Sequence, residues 1–165
     1  MPDGDGTRPT SERAREGLFS SLALQGEERV LDLFAGSGAL GIEALSRGAE
    51  FALFGESNSR AAACVRSNLE LLGAGARGRV MEADWKVVCG NLTRDGLLFD
   101  VVFVDPPWAE TAAVGESLVE LIGPILAEGA RVVVESSSAE PMELTLPLLR
   151  EKRYGDTLIR FYESE

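Results

Sequence analysis

Asp105-Pro106-Pro107-Trp108 places a carboxylate, two backbone carbonyls and an indole directly after the apolar run Val101 to Val104. Pro106 has no N–H and drives Asp105 toward extended backbone, and Pro107 does the same to Pro106, so the tip is stiff. The run before it, β-branched and aromatic, predicts a strand over 99–104 buried on both faces of a parallel sheet. The carboxyl ends of such strands are where open α/β sheets bind ligands. A planar amine on an aromatic ring is a weak nucleophile because its lone pair is delocalised. Asp105 and the Pro106 carbonyl can accept both amine hydrogens and so aim the nitrogen at an electrophile, while Trp108 offers a π face for the ring, a contact worth roughly 1–3 kcal/mol. The bland alternative is a strand-ending turn with a surface Trp; the buried strand ahead of the tip counts against it.

A second cluster lies upstream. Asp32-Leu33-Phe34-Ala35-Gly36-Ser37-Gly38-Ala39-Leu40-Gly41 contains G-x-G-x-x-G between a predicted strand and a predicted helix. Glycines there allow a tight turn and close backbone approach, and the helix start offers free N–H groups. Alone the motif fits a dinucleotide or an adenosyl ligand equally. Asp32, four residues ahead of Gly36 at the strand end, would repel a pyrophosphate and attract a cationic sulfonium–amino acid ligand. Glu56 closes the second strand, where an acid can hold a ribose diol, and Asp84 closes the third, beside an adenine edge. Phe34, Ser57 and Trp85 flank these positions and complete the expected cofactor set. Each acid alone is more often a turn or cap residue, but three at the ends of three successive strands share one rim.

The elements that must position these groups follow from periodicity. Helices are predicted over 11–24, 39–47, 59–72, 85–92 and 111–122, and strands over 29–33, 51–54, 79–83, 99–104 and 131–135. Gly48 ends the second helix. In the third, Ala61, Cys64, Val65, Leu69 and Leu72 form the expected inner face, which makes Cys64 plain core. Segments 144–152 and 157–162 flank Tyr154-Gly155-Asp156 and read as an antiparallel hairpin. Strands alternating with helices imply right-handed βαβ units and a parallel sheet. The expectation is one α/β domain over 1–165, with residues 1–10 a mobile leader and Thr10 or Ser11 capping the first helix.

Bulk properties narrow the function. The 165 residues contain no histidine, which removes His-based triads, bases and metal ligands, and the two cysteines show neither zinc spacing nor a disulfide pattern. No metal site is expected. No run approaches a membrane span and no signal peptide is evident, so a cytoplasmic, monomeric protein is the default. The net charge of −11 opposes nonspecific nucleic-acid binding. Arg8, Arg13 and Arg15 nevertheless form a local basic cluster at the start of the chain, read either as a solvated face or as an RNA contact.

The chain resembles the class I S-adenosylmethionine-dependent methyltransferases that carry the (D/N/S)-P-P-aromatic signature of amino-group methylation. More narrowly it resembles the RsmD family, which methylates the exocyclic N2 of a guanine in small-subunit (16S) ribosomal RNA. The matching stretches are Thr7-Arg-Pro-Thr-Ser-Glu-Arg-Ala-Arg-Glu16, the segment 31–48 around the glycines, Asp105 to Trp108, and Glu151-Lys-Arg-Tyr-Gly-Asp-Thr157. The resemblance implies a Rossmann-like, mostly parallel seven-stranded sheet with helices on both faces and an antiparallel C-terminal hairpin. It implies S-adenosylmethionine as cofactor, with its methionine end at Asp32, Gly36 and Gly38, its ribose at Glu56 and its adenine by Asp84. It further implies Asp105, Pro106, Pro107 and Trp108 as the catalytic tip and ribosomal RNA or the small subunit as partner. The chain departs from the family in having only the acidic Met1–Gly6 where a basic hairpin is usual, and Trp108 where Phe or Tyr is commoner. Other readings of the same motifs are N6-adenine or another amino methylation, a donor- or RNA-binding module without catalysis, and an NAD-dependent oxidoreductase.

Overall fold

The computed structural model describes residues 10–165, with side chains from Glu12 onward; Arg8 and the rest of the expected leader up to Pro9, and the side chains of the expected Thr10 or Ser11 cap, lie outside what is described. Seven strands form one sheet in the order β3-β2-β1-β4-β5-β7-β6. They are β1 (Arg29–Asp32), β2 (Phe51–Glu56), β3 (Gly78–Glu82), β4 (Phe99–Val104), β5 (Leu126–Ser137), β6 (Leu148–Tyr154) and β7 (Thr157–Glu163). Helices α1 (Thr10–Leu22), α2 (Ala39–Ser46), α3 (Ser59–Leu71), α4 (Trp85–Arg94) and α5 (Thr111–Ile122) alternate with the first five strands. β1 to β5 are mutually parallel, β7 runs antiparallel to β5, and β6 antiparallel to β7. The expected seven-stranded sheet with its C-terminal hairpin is therefore present.

The strands alternate between two cores. Val30, Ala52, Phe54, Val101, Phe103, Val133 and Ile159 pack under α1, α2 and α3. Leu31, Leu53, Val102, Val104, Val132 and Val134 pack under α4 and α5. Period-two alternation within strands that are apolar throughout is what burial on both faces requires. α1 is locked to the sheet by Phe19, whose ring meets Phe103 edge-on at 5.6 Å, and by the Leu22 carbonyl, which accepts from the Arg131 guanidinium. β1 and β4 are neighbours, yet α2 leaves β1 toward one face and α5 leaves β4 toward the other. The sheet order reverses there, opening a crevice at the carboxyl ends of the strands.

Several predicted boundaries shift. β5 is longer than 131–135 because pairing with β7 carries it to Ser137. β6 starts at Leu148 instead of 144, beyond Pro147, which has no N–H to donate to a ladder. In α3 the buried residues are Ala62, Val65 and Leu69. Cys64 is exposed and Leu72 is 63% exposed, which corrects the expectation of a core Cys64. α3 lies over β2 and β3 at the sheet margin, so its contact stripe is narrow and the flank holding Cys64 faces solvent.

Two close fits join α2 to the sheet. A Cβ on Gly41 would stand 2.3 Å from the fully buried Phe54 ring, and the Gly41 N–H donates to Asp32 Oδ2 at 3.0 Å. Gly41→Ala is expected to cost about 1–3 kcal/mol in chemical denaturation, because neither the helix nor the ring has room to move; an unchanged midpoint would contradict this packing. Asp32 is only 1% exposed, and burial, with a smaller contribution from the Glu56 charge, pushes its carboxyl up from 3.8 to about 7 against the Gly41 hydrogen bond. A pKa raised in the folded state gives stability that is fully present below the unfolded value and is lost as pH rises through the folded one. The stability difference between wild type and Asp32→Asn should thus move against wild type, by up to roughly 4 kcal/mol, between about pH 4 and pH 7. Urea titrations of both proteins across that window check it, and parallel pH curves would refute it.

Candidate active site

Alternation along the strands does more than bury the core. Asp32 continues the Val30 face of β1, Glu56 the Phe54 face of β2, and Asp105, one residue past β4, the Phe103 face. Glu135 in β5 continues the Val133 face, and the register Val104↔Val134 sets it beside Asp105. All four carboxyls therefore come to the side covered by α1 and α2, and all four line one cleft of about 920 Å³. That volume lies near the upper end of small-molecule sites, about 300–1,000 Å³.

The glycine loop forms one wall. Gly36 and Gly38 have φ of +57° and +85°, a region that favours glycine. A Cβ on Gly36 would meet no atom within 4 Å, so its backbone faces open space. Glu56 holds this loop to β2: its Oε1 accepts the Gly36 N–H and its Oε2 the Asn58 N–H, each at 2.8 Å. Phe34 and Ser57 line the same wall. Asp84 lies two residues beyond β3, where it caps α4 by accepting the Lys86 N–H at 3.0 Å, and it too reaches the cleft. Trp85 is largely core, 9% exposed, with its ring 5.8 Å from that of Phe34. It lines the cleft only at its edge, so its packing role is larger than the sequence suggests.

The tip after β4 borders the same cleft. Asp105 is half-buried, Pro106 buried and Pro107 exposed, and Trp108 begins a 3-10 turn, Trp108–Glu110, that leads into α5. All four tip residues line the cleft. Asp105 stands beside Glu135, and its carboxyl is held well above the usual range, first by burial, then by the charges of Glu135 and Asp32. From sequence, both Asp32 and Asp105 read as plain anions. The structure corrects this: crowding and burial make each retain a proton more readily than a surface acid does.

Of the basic cluster, Arg15 lines the cleft beside Leu18 whereas Arg13 is exposed and away from it. Among the described lining residues Arg15 is the one cation, against Asp32, Glu56, Asp84, Asp105, Glu110 and Glu135. Such a lining suits a cationic ligand and opposes a pyrophosphate. Glu135, Thr157 and Ile159 line the cleft without having been singled out from sequence. Glu135 carried a usable signal, an acid at the end of a buried strand, the same pattern that marks Asp32 and Glu56. Burial pushes the Cys89 thiol up to about 12, with a further contribution from Asp84, which makes it a poor nucleophile. Among the described residues, no cluster of three or more Cys, Asp or Glu is arranged for a metal, and no helix is long and apolar enough to cross a membrane.

Comparison with known proteins agrees with this geometry. The family model described as "Conserved hypothetical protein 95" matches residues 1–163. Ribosomal RNA small subunit methyltransferase D of Escherichia coli K12 is 37% identical over all of this chain and 83% of its own length. The solved structure of a hypothetical protein from Thermus thermophilus superposes with a TM-score of 0.83 at 29% identity, covering 98% of this chain and 91% of that one. An RNA methyltransferase of Salinibacter ruber, crystallised with S-adenosyl-L-homocysteine, shares the fold at a TM-score of 0.74 and 16% identity over 96% of this chain and 93% of its own. With its whole length matched at this identity, and a glycine loop and D-P-P-W tip facing one cleft, the chain belongs to the RsmD family and is a class I methyltransferase.

Proposed function

We propose that this methyltransferase acts from S-adenosylmethionine on the exocyclic N2 amine of a guanine in small-subunit (16S) ribosomal RNA. One methyltransferase domain spanning the chain, working as a monomer in the cytoplasm, is the unit of action. The observation that carries the reading is the placement of the glycine loop after β1 and the D-P-P-W tip after the neighbouring β4 in one acid-lined cleft. The names of the relatives supply the substrate class, since the Escherichia coli protein of 37% identity is a ribosomal RNA small subunit methyltransferase.

The chain's own residues divide the work. Asp32, Phe34, Gly36, Gly38, Glu56, Ser57, Asp84 and Trp85 would hold the donor. The donor set fits: the Gly36 backbone faces open space, the lining is acidic, and each Glu56 oxygen keeps a second lone pair for a ribose hydroxyl. S-adenosylmethionine supplies, when bound, an electrophilic methyl group on a sulfonium. Asp105 and the Pro106 carbonyl accept the two hydrogens of the target amine, which fixes the nitrogen's direction and offsets the positive charge that builds on it. Trp108 stacks on the base, which has to be unstacked from the RNA to enter the cleft. Arg15 at the cleft, with Arg8 and Arg13 nearby in sequence, meets the phosphates of the incoming strand. With few such contacts in a chain of net charge −11, affinity for the subunit should depend only weakly on salt.

The test is incubation of the purified protein with labelled donor and with small ribosomal subunits from a strain lacking the activity, followed by mass spectrometry of the nucleosides. N2-methylguanosine is the expected product; N6-methyladenosine or no product would overturn the reading. Asp105→Ala should lower kcat by roughly 10²–10³-fold, as loss of one pre-organised charge-stabilising group does. Its affinity for S-adenosylhomocysteine by calorimetry should stay within a few-fold of wild type, and wild-type turnover would remove Asp105 from its role. Trp108→Ala should instead raise KM for the subunit by about 10- to 100-fold through lost stacking, measured in the same assay.

A further inference from the structure

Asp105 does not meet the cleft alone. The parallel register of β4 and β5 sets Glu135 next to it on the same face, and both line the cleft. Two carboxyl groups that meet can hydrogen-bond to each other only when one of them carries a proton. We propose that Glu135 is the positioning residue for Asp105: the pair holds one proton between them, which fixes the Asp105 carboxyl and leaves one of its oxygens to accept from the target amine. This rests on the amine-methylation reading.

The surroundings favour retention of that proton. Asp32 from β1 acts on Asp105 directly, and Glu56 from β2, Asp84 before α4 and Glu110 before α5 line the same cleft. Arg15 from α1 is the one opposing charge among the described lining residues, and β7 contributes only Thr157 and Ile159. Both burial and the negative neighbours lift Asp105 above the ordinary carboxylate range. Two interacting acids titrate as a unit in two steps, the upper one displaced upward. Between the steps, the shared proton holds the carboxyls together. Above the upper step both are anions, they repel, and Asp105 loses the contact that orients it.

An amide at position 135 separates orientation from titration. Glu135→Gln can still donate N–H to Asp105 but has no proton to lose, whereas Glu135→Ala can do neither. With 13C-carboxyl-labelled Asp and Glu, NMR titration of the ligand-free wild-type protein should show the coupled two-step pattern. In Glu135→Gln a single Asp105 step should appear at least one pH unit below the wild-type upper step. In the subunit assay, wild-type kcat should fall as pH rises through the upper step. That alkaline limb should be absent from Glu135→Gln, whose kcat stays within about 3-fold of wild type below it. Glu135→Ala should lose kcat about 10-fold at every pH, with S-adenosylhomocysteine affinity unchanged.

An Asp105 titration that is the same in wild type and Glu135→Gln would overturn the shared proton. Active variants whose pH profiles match wild type would overturn the positioning role while leaving the methylation reading intact. A wild-type protein that methylates no subunit, with the two-step titration still present, would instead sink the methylation reading and with it the role for the amine.

Discussion

Like charges crowded at one end of a parallel sheet are the constraint around which this molecule is built. Parallel strands deliver their carboxyl ends to a single rim, and each of the five here carries an acid within two residues of that end. Packed against a buried wall, with Arg15 the one cation among the described lining residues, such groups cannot all ionise freely. The protein answers in three ways. Glu56 satisfies its oxygens with the N–H groups of Gly36 and Asn58, Asp32 takes the Gly41 N–H and keeps a raised pKa, and Asp105, set beside Glu135, keeps a raised pKa too. Each solution also joins two elements, so the electrostatics of the rim and the assembly of the glycine loop and tip are one problem.

That arrangement has a chemical consequence. A cleft whose described lining is rich in acids disfavours the phosphates of a dinucleotide and welcomes a positively charged donor. The same acids hold acceptor lone pairs close to where an amine would present its hydrogens. Reaction by positioning and charge stabilisation alone asks nothing of a nucleophilic cysteine, and the buried Cys89, its thiol pushed up to about 12, is not equipped to be one. Acidity that counts against loose binding to nucleic acid is, inside the cleft, what recommends this chain for its donor.

The helices serve the rim at a distance. Phe19 against Phe103 and the Leu22 carbonyl against Arg131 fix α1 over β4 and β5, and α1 in turn brings Arg15 and Leu18 to the cleft. α2 begins where the glycine loop ends and is pressed so closely on Phe54 that position 41 admits no side chain without displacement. Structural precision at the cofactor wall is thus set by core packing one turn below it.

What the sequence determined by itself is what short-range chemistry dictates. The stiffness of D-P-P, the positive φ demanded at Gly36 and Gly38, the two-faced burial of V-V-F-V and the hairpin turn around Tyr154-Gly155-Asp156 follow from residues within a few positions of one another. So did the rim acids, because an acid that closes an apolar strand is visible in the strand alone. Tertiary structure decided what depends on neighbours far along the chain. Glu135 closes the predicted strand 131–135 as plainly as Asp32 closes its own, but only the β4–β5 register sets it against Asp105. Cys64 lies on a helix whose periodicity put it on the inner face, but the narrow contact of α3 at the sheet margin turned it outward. Whether Asp32 is an anion could not be read from its identity, since a carboxyl's pKa is fixed by burial and by charges on other strands. Arg15 and Arg13 differ in role for the same reason: two residues apart on a helix, they lie some 200° apart around its axis, and only docking on β4 selects which one meets the cleft.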